Sequence, residues 1–206
     1  MLKQPAESDL EGVRLDAHSV ERIARRVAET IASSPATNGI SHTAEIADLA
    51  AEGFDPRFNA VDLALFNKTL AAPADVAAEH ARLNRADALV LVYPIYWWSF
   101  PALLKGWIDR VFSQGWAYED VALGKSVKKL QRLRVHLVAI GGADQRTMAR
   151  HGYFGAMKTQ IDHGIFDYCG AQVVTSELLL ASDTGYPEAH LETARTIGQK
   201  VFPSPT

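Results

Sequence analysis

The sequence predicts an α/β fold, a parallel sheet covered by helices on both faces, and three observations carry that reading. Apolar runs at 88–93 (ALVLVY), 133–140 (LRVHLVAI) and 172–180 (QVVTSELLL) alternate with segments of helical periodicity, the pattern of strands joined by crossover helices. The first run carries no charge, as a strand buried on both faces of a parallel sheet requires. Gly and Pro fall at the ends of these segments, at Pro94, Pro101, Gly141, Gly142, Gly170 and Pro187, where they punctuate elements rather than break them.

Taken in order, residues 19–32 (SVERIARRVAETIA) place apolar side chains at 20, 23, 24, 27, 28 and 31. That is one face of a helix, which Ser19 can cap. A turn with Pro35 and Asn38-Gly39 follows, then a short strand candidate at 43–48 (TAEIAD). Residues 53–87 read as a loop (GFDPRFN) and a helix ending near Arg85. After the 88–93 strand, Pro101 suits the first helical position, and Leu103, Leu104, Trp107, Ile108, Val111 and Phe112 repeat at helical spacing. The 133–140 strand closes at Gly141-Gly142. A helix over 154–168 stops at Gly170, the 172–180 strand follows, and Pro187 opens a last helix to about Val201. No internal repeat interrupts the 206 residues, a length that suits one domain, so a single domain over 1–206 is expected.

Composition narrows the function classes. The chain is 48% hydrophobic and 22% charged with a net charge of -3, globular values without the basic surplus that nucleic acid demands. Cys169 is the single cysteine, so an internal disulfide or multi-Cys zinc site is excluded and a cytoplasmic, reducing compartment is expected. Residues 1–16 are too polar for a signal peptide. The uncharged run 88–104 is interrupted by Pro94 and Pro101 and short for a membrane span, so a strand and a helix explain it better. There is no metal-ligand spacing, G-x-S-x-G elbow or Walker loop. Cys169 reads as buried and inert, and Asp162 with His163 as a solvated helix face.

In parallel α/β sheets ligands bind beyond the carboxyl ends of the strands, which directs attention to 94–99 and 141–152. The first of these, PIYWWS, sets three large aromatics together. They suit stacking on a flat, conjugated ligand, or equally a core cluster that anchors the next helix.

Three blocks carry a resemblance: YPIYWWSFPALLKGWIDRVFSQGWAY at 93–118, HGYFGAMKTQIDHGIFDYCGAQVV at 151–174 and ADLAAEGFDPRF at 47–58. The chain resembles the flavodoxin-like NAD(P)H:quinone oxidoreductases, the family of DT-diaphorase and of the reductases that accompany glutathione-regulated potassium efflux. The resemblance implies a flavodoxin-like, doubly wound, five-stranded parallel sheet and an FAD or FMN cofactor. It also implies NAD(P)H as co-substrate, and ping-pong hydride transfer to a quinone or similar acceptor. A homodimer is implied, with Trp116 and Tyr118 near the shared site, and so is peripheral contact with a membrane transporter.

Residue by residue, the resemblance assigns Pro94, Ile95, Tyr96, Trp97 and Trp98 to a loop wrapping the flavin ring. Gly141 and Gly142 become the turn where bare backbone approaches that ring. His151 is matched to a histidine that steadies negative charge on the reduced flavin, and His18 and Ser19 to the phosphate loop. Two departures stand out. Met148 or a neighbour lies where the family carries a tyrosine before the histidine, and the first strand, 12–16 (GVRLD), carries Arg14 and Asp16 where an apolar strand belongs. They leave open a second reading, a weakly flavin-binding, non-enzymatic regulatory subunit, for example of a cation-efflux system.

Overall fold

A computed structural model of the chain describes residues 17–36, 39, 41–121 and 125–202. Three parallel strands, β1 (Ala88–Pro94), β4 (Arg134–Gly141) and β5 (Gln172–Leu180), form a sheet in the order β1-β4-β5. A second, antiparallel pair, β2 (Tyr118–Val121) with β3 (Lys125–Lys128), lies outside it. The helices are α1 (Ala17–Ser33), α2 (Ala60–Phe66), α3 (Ala74–Arg85), α4 (Ala102–Val111), α5 (Gln145–His151), α6 (Tyr153–Met157) and α7 (Glu188–Val201). A π-helix, Lys158–Asp167, continues α6 without a break. The uncharged run thus forms β1 and the start of α4, and no helix among the described residues is long and apolar enough to cross a membrane.

The alternation of β4 divides the core. Val135, Leu137 and Ala139 face a layer containing Trp107, Val111, Ile161 and Phe166. Val138 and Ile140 face α1 and α7, where Ile23, Val27 and Ile31 meet Ala194, Ile197 and Val201. Each such buried aliphatic side chain contributes about 1.5–3 kcal/mol. The spacing 23, 27, 31 is the apolar stripe read from the sequence; the helix begins at Ala17, so Ser19 lies in its first turn rather than at its cap.

Strand expectations at the amino-terminal side are corrected. Residues 43–48 form no strand, and Ile46 is exposed. TAEIAD has one large apolar side chain and no face to bury, so polar contacts hold it instead: Glu45 accepts from Arg82 at 2.9 Å, and Asp48 accepts from the amides of Ala50 and Ala51. The expected 12–16 strand lies outside the described residues. Among the described residues the parallel sheet has three strands, with β1 outermost of the three. There Leu91 and Tyr93 are buried while Val90 and Val92 stay half-buried.

The helical region after Met157 differs too. The π-helix turns more widely than an α-helix, and Asp162, expected on a solvated face, is buried beside Lys158 at 3.3 Å and Ser176 at 3.5 Å. His163 is exposed as expected. Cys169 is buried, and that burial pushes its thiol up to about 11.

His136 shares the α1/α7 face of β4 and has no exposed surface. Its Nδ1 lies 3.0 Å from Thr175 Oγ1, and its Nε2 has no hydrogen-bond partner among the described residues. Burial, then the charges of Arg134 and Lys200, lower its pKa to about 4. Unfolded, the imidazole protonates near its ordinary 6.5, so between these values the unfolded chain binds more protons. The stability this group contributes is whole above the unfolded value and is lost as pH falls toward 4, by about 3 kcal/mol. Urea melts of the wild type and His136→Leu at neutral and acid pH should show a smaller acid loss in the variant. Equal losses would contradict this account.

Candidate functional site

The register of β1 on β4 pairs Pro94 with Ile140, and the next amide, that of Ile95, donates to the Ile140 carbonyl at 2.8 Å. Both chains therefore leave the sheet side by side at its carboxyl end. Beyond Ile95, Tyr96 and Ser99 exchange two backbone hydrogen bonds of 3.1 Å around Trp97 and Trp98, whose φ values are 49° and 61°. Positive φ at both central residues is the I′ turn geometry, normally given to Asn-Gly. Held by two tryptophans, it stores about 1–3 kcal/mol per residue, strain characteristic of functional sites. Trp97 is 92% exposed, whereas Trp98 stacks on Tyr153 with ring centroids 3.6 Å apart. Ser99 Oγ donates to Gln160 Oε1 of the π-helix at 2.5 Å, tying the turn's far end down.

The facing wall starts at Gly141. A Cβ there would stand 2.8 Å from Leu180 Cδ2 and 3.0 Å from Ile95 Cδ1, so a larger residue fits beneath the loop only if those side chains shift. Gly142 and Ala143 follow, then Asp144 caps α5 by accepting from the Thr147 amide at 2.7 Å. Hydrogen bonds from Thr147 hold the Asp144 carboxyl below its usual range. On α5, Met148 is buried and turned to the same space. The result is a cleft of about 140 Å³ lined by Ile95, Trp97, Trp98, Gly141, Gly142, Ala143 and Met148. Its lining is aromatic, aliphatic and bare backbone, without a charged side chain.

Of the residues singled out from the sequence, Ile95, Trp97, Trp98, Gly141 and Gly142 thus share one cleft. Pro94 ends β1 just beneath it, and Tyr96 contributes the backbone of the turn while its side chain is exposed. His151 lies outside that lining, exposed at the end of α5, with its ring stacked on Tyr153 at 5.1 Å. His18 and Ser19 lie in the first turn of α1, within regular helix rather than a loop. Tyr153 escaped sequence reasoning. It lies in the 151–174 block but carries no role there, and the fold stacks its ring on both Trp98 and His151.

A larger cavity, about 470 Å³, opens between α2, α4 and the π-helix, away from the strand ends. Its floor holds buried Arg110, whose Nε donates to both Asp62 carboxylate oxygens at 3.1 and 3.0 Å. Its Nη1 donates to Asp75 Oδ2 at 2.6 Å and to the Asp55 carbonyl at 2.7 Å. The hydrogen bond from Arg110 lowers the Asp75 pKa. Phe58, Leu63 and Phe66 stand about half-exposed on its rim, with Tyr118 in its wall. Trp116 turns instead onto α3, stacked on His80 at 4.3 Å.

Parallel strands, covering helices and a cleft at the strand ends define a protein of the flavodoxin-like class. Residues 13–201 match the family described as having a flavodoxin-like fold, and the chain belongs to that family. It is 32% identical over 161 residues to an uncharacterized NAD(P)H oxidoreductase of Haemophilus influenzae, covering 78% of each chain. Over 44 residues, 21% of this chain and 25% of the other, it is 59% identical to the glutathione-regulated potassium-efflux system ancillary protein KefF of an Enterobacter strain. Among solved structures, an NAD(P)H:quinone oxidoreductase from Methanothermobacter marburgensis superposes with a TM-score of 0.78, at 24% identity, over 93% of this chain and 94% of the other.

Strain at the turn makes a direct prediction. Trp97 buries almost nothing, so Trp97→Gly should relieve its left-handed backbone and raise stability by about 1 kcal/mol. Equilibrium unfolding of the variant measures this; a destabilised Trp97→Gly would show that the turn is unstrained.

Proposed function

We propose that this chain is a flavin-dependent NAD(P)H:quinone oxidoreductase. The observation that carries the reading is the strained Trp97-Trp98 turn set against Gly141 and Gly142 at the ends of β1 and β4. It makes an uncharged slot with an aromatic wall and open backbone, which fits the edge of a flat ring system. When bound there, FAD or FMN would supply the two-electron exchange in which NAD(P)H and a quinone take turns at one site.

The chain's own residues divide the remaining tasks. Pro94 and Ile95 set the loop on the sheet, the Tyr96 backbone closes the turn, and Trp97 and Trp98 offer ring faces. Gly141 and Gly142 let the cofactor approach the backbone. Met148 keeps water from the inner wall but offers no proton donor, which leaves His151 as the side chain to hold a proton and balance negative charge beside the ring. His18 and Ser19, at the start of α1, are assigned to the cofactor phosphate, where a helix amino terminus favours anions. Phe58, Leu63 and Phe66 around the larger cavity support a homodimer, since exposed apolar side chains grouped on one face are costly in a monomer. Absence of a hydroxyl at Met148 favours the second reading, a regulatory subunit with weak flavin binding, and the same experiment separates the two.

Reconstitution with FMN and with FAD should give a yellow protein that NAD(P)H bleaches without oxygen and a quinone restores. A folded, colourless protein that neither flavin colours would overturn the enzyme reading. Gly141→Val should weaken flavin binding at least about tenfold, because its side chain needs the space of Ile95 and Leu180; unchanged affinity would remove Gly141 from the site.

Sedimentation equilibrium tests the assembly. The wild type should be dimeric and the double variant Leu63→Glu, Phe66→Glu monomeric. A monomeric wild type would refute the homodimer.

A further inference from the structure

The turn at Trp97 and Trp98 poses a physical problem that the flavin reading leaves open: a left-handed pair of tryptophans persists only where surrounding contacts over-determine it. Two contacts do so at the carboxyl side of the turn. Ser99 is bonded to Gln160, and the Trp98 indole lies flat on the Tyr153 ring, 3.6 Å between centroids and 9° from parallel. The Tyr153 ring also stacks on His151, 5.1 Å away and 24° from parallel. The two neighbouring rings stack because Gly152, between them, has φ 67° and ψ 20°. This left-handed residue ends α5 and starts α6 in one step, so that His151 and Tyr153 rise on the same side.

We infer that Tyr153 is a positioning residue whose ring locks the strained Trp97-Trp98 turn and the His151 imidazole into one column at the cleft edge. This inference rests on the proposed flavin site and deepens it. Trp98 lines the cleft and His151 does not, so the tyrosine ring joins the histidine to the aromatic wall. A turn already held in its strained form costs the ligand no ordering on binding. The stacking is a property of the ring and makes no use of the hydroxyl, so phenylalanine can replace tyrosine and leucine cannot. Stacked aromatic pairs are worth enough that losing the column should weaken flavin binding about 3- to 10-fold.

Two readouts test this, one of which needs no flavin. In the apoprotein, the His151 ring-proton resonances, assigned by their loss in His151→Gln, should be displaced upfield by the neighbouring aromatic ring. Tyr153→Phe should keep that displacement and Tyr153→Leu should lose it. Fluorescence titration with FMN and FAD should find Tyr153→Phe within about twofold of wild type and Tyr153→Leu about 3- to 10-fold weaker. Should Tyr153→Leu not fold, Trp98→Leu breaks the same stack from the cleft side and should weaken flavin binding by a similar factor. In that background Tyr153→Phe should add nothing.

A Tyr153→Leu protein with wild-type resonances and affinity would overturn the inference, as would a Tyr153→Phe protein that loses both as the leucine variant should. If the wild type bound neither flavin but the resonances followed this pattern, the flavin reading would fail while the column stood. If the wild type bound flavin and Tyr153→Leu bound it equally well, the column would fail and the flavin reading would stand.

Discussion

The parallel register of β1 on β4 is the constraint on which the rest depends. Pairing Pro94 with Ile140, extended by the Ile95 amide on the Ile140 carbonyl, delivers an aromatic loop and a glycine turn to the same place. A slip of one residue would exchange the faces of β1 and turn Leu91 and Tyr93 toward the wrong layer. The core prevents that slip: β4 is buried along nearly its whole length, with separate apolar clusters on its two faces. Packing thus sets the register, and the register sets the geometry of the cleft.

Two further devices hold what the sheet does not reach. On the cleft side, aromatic stacking and the Ser99–Gln160 hydrogen bond retain a turn that its own backbone disfavours. On the far side, Arg110 gathers α2, the Asp55 segment and α3 against α4 through Asp62, Asp75 and a backbone carbonyl, while its guanidinium lies 5.2 Å from the Phe54 ring centre. A buried ion-pair cluster adds little net stability over apolar packing, but removing one partner strands the others at a cost of about 3–5 kcal/mol. It therefore fixes an arrangement more than it strengthens one. The α2 capping box, in which Asn59 and Asp62 bond each other's backbone amides, places Asp62 to receive Arg110.

Much of this was legible from residue order. Strand limits at 88–93 and 172–180, the apolar stripe of α1 and the α4 positions Leu104, Trp107, Ile108 and Val111 all follow from periodicity and agree with the structure. The meeting of PIYWWS and Gly141-Gly142 was accessible as well, because parallel strands open ligand sites at their carboxyl ends. What escaped was set by tertiary contact. Nothing in Trp97-Trp98 announces positive φ, since tryptophan disfavours it and only stacking on Tyr153 and pairing of Tyr96 with Ser99 impose it. The π-helix likewise leaves a pattern close to that of an α-helix, so the burial of Asp162 does not show in residue order. Residues 43–48 form no strand because TAEIAD offers one large apolar side chain, the exposed Ile46, and no face to bury.

The central claim is that the Trp97-Trp98 turn and the Gly141-Gly142 turn clasp one flavin. Amide hydrogen exchange with and without saturating FMN or FAD tests it most directly, because it locates bound flavin along the backbone without assuming activity. Protection should concentrate at residues 95–99 and 141–152 and leave the rim of the larger cavity, around Phe58 and Phe66, unchanged. Protection confined to that rim, with neither turn affected, would contradict the account.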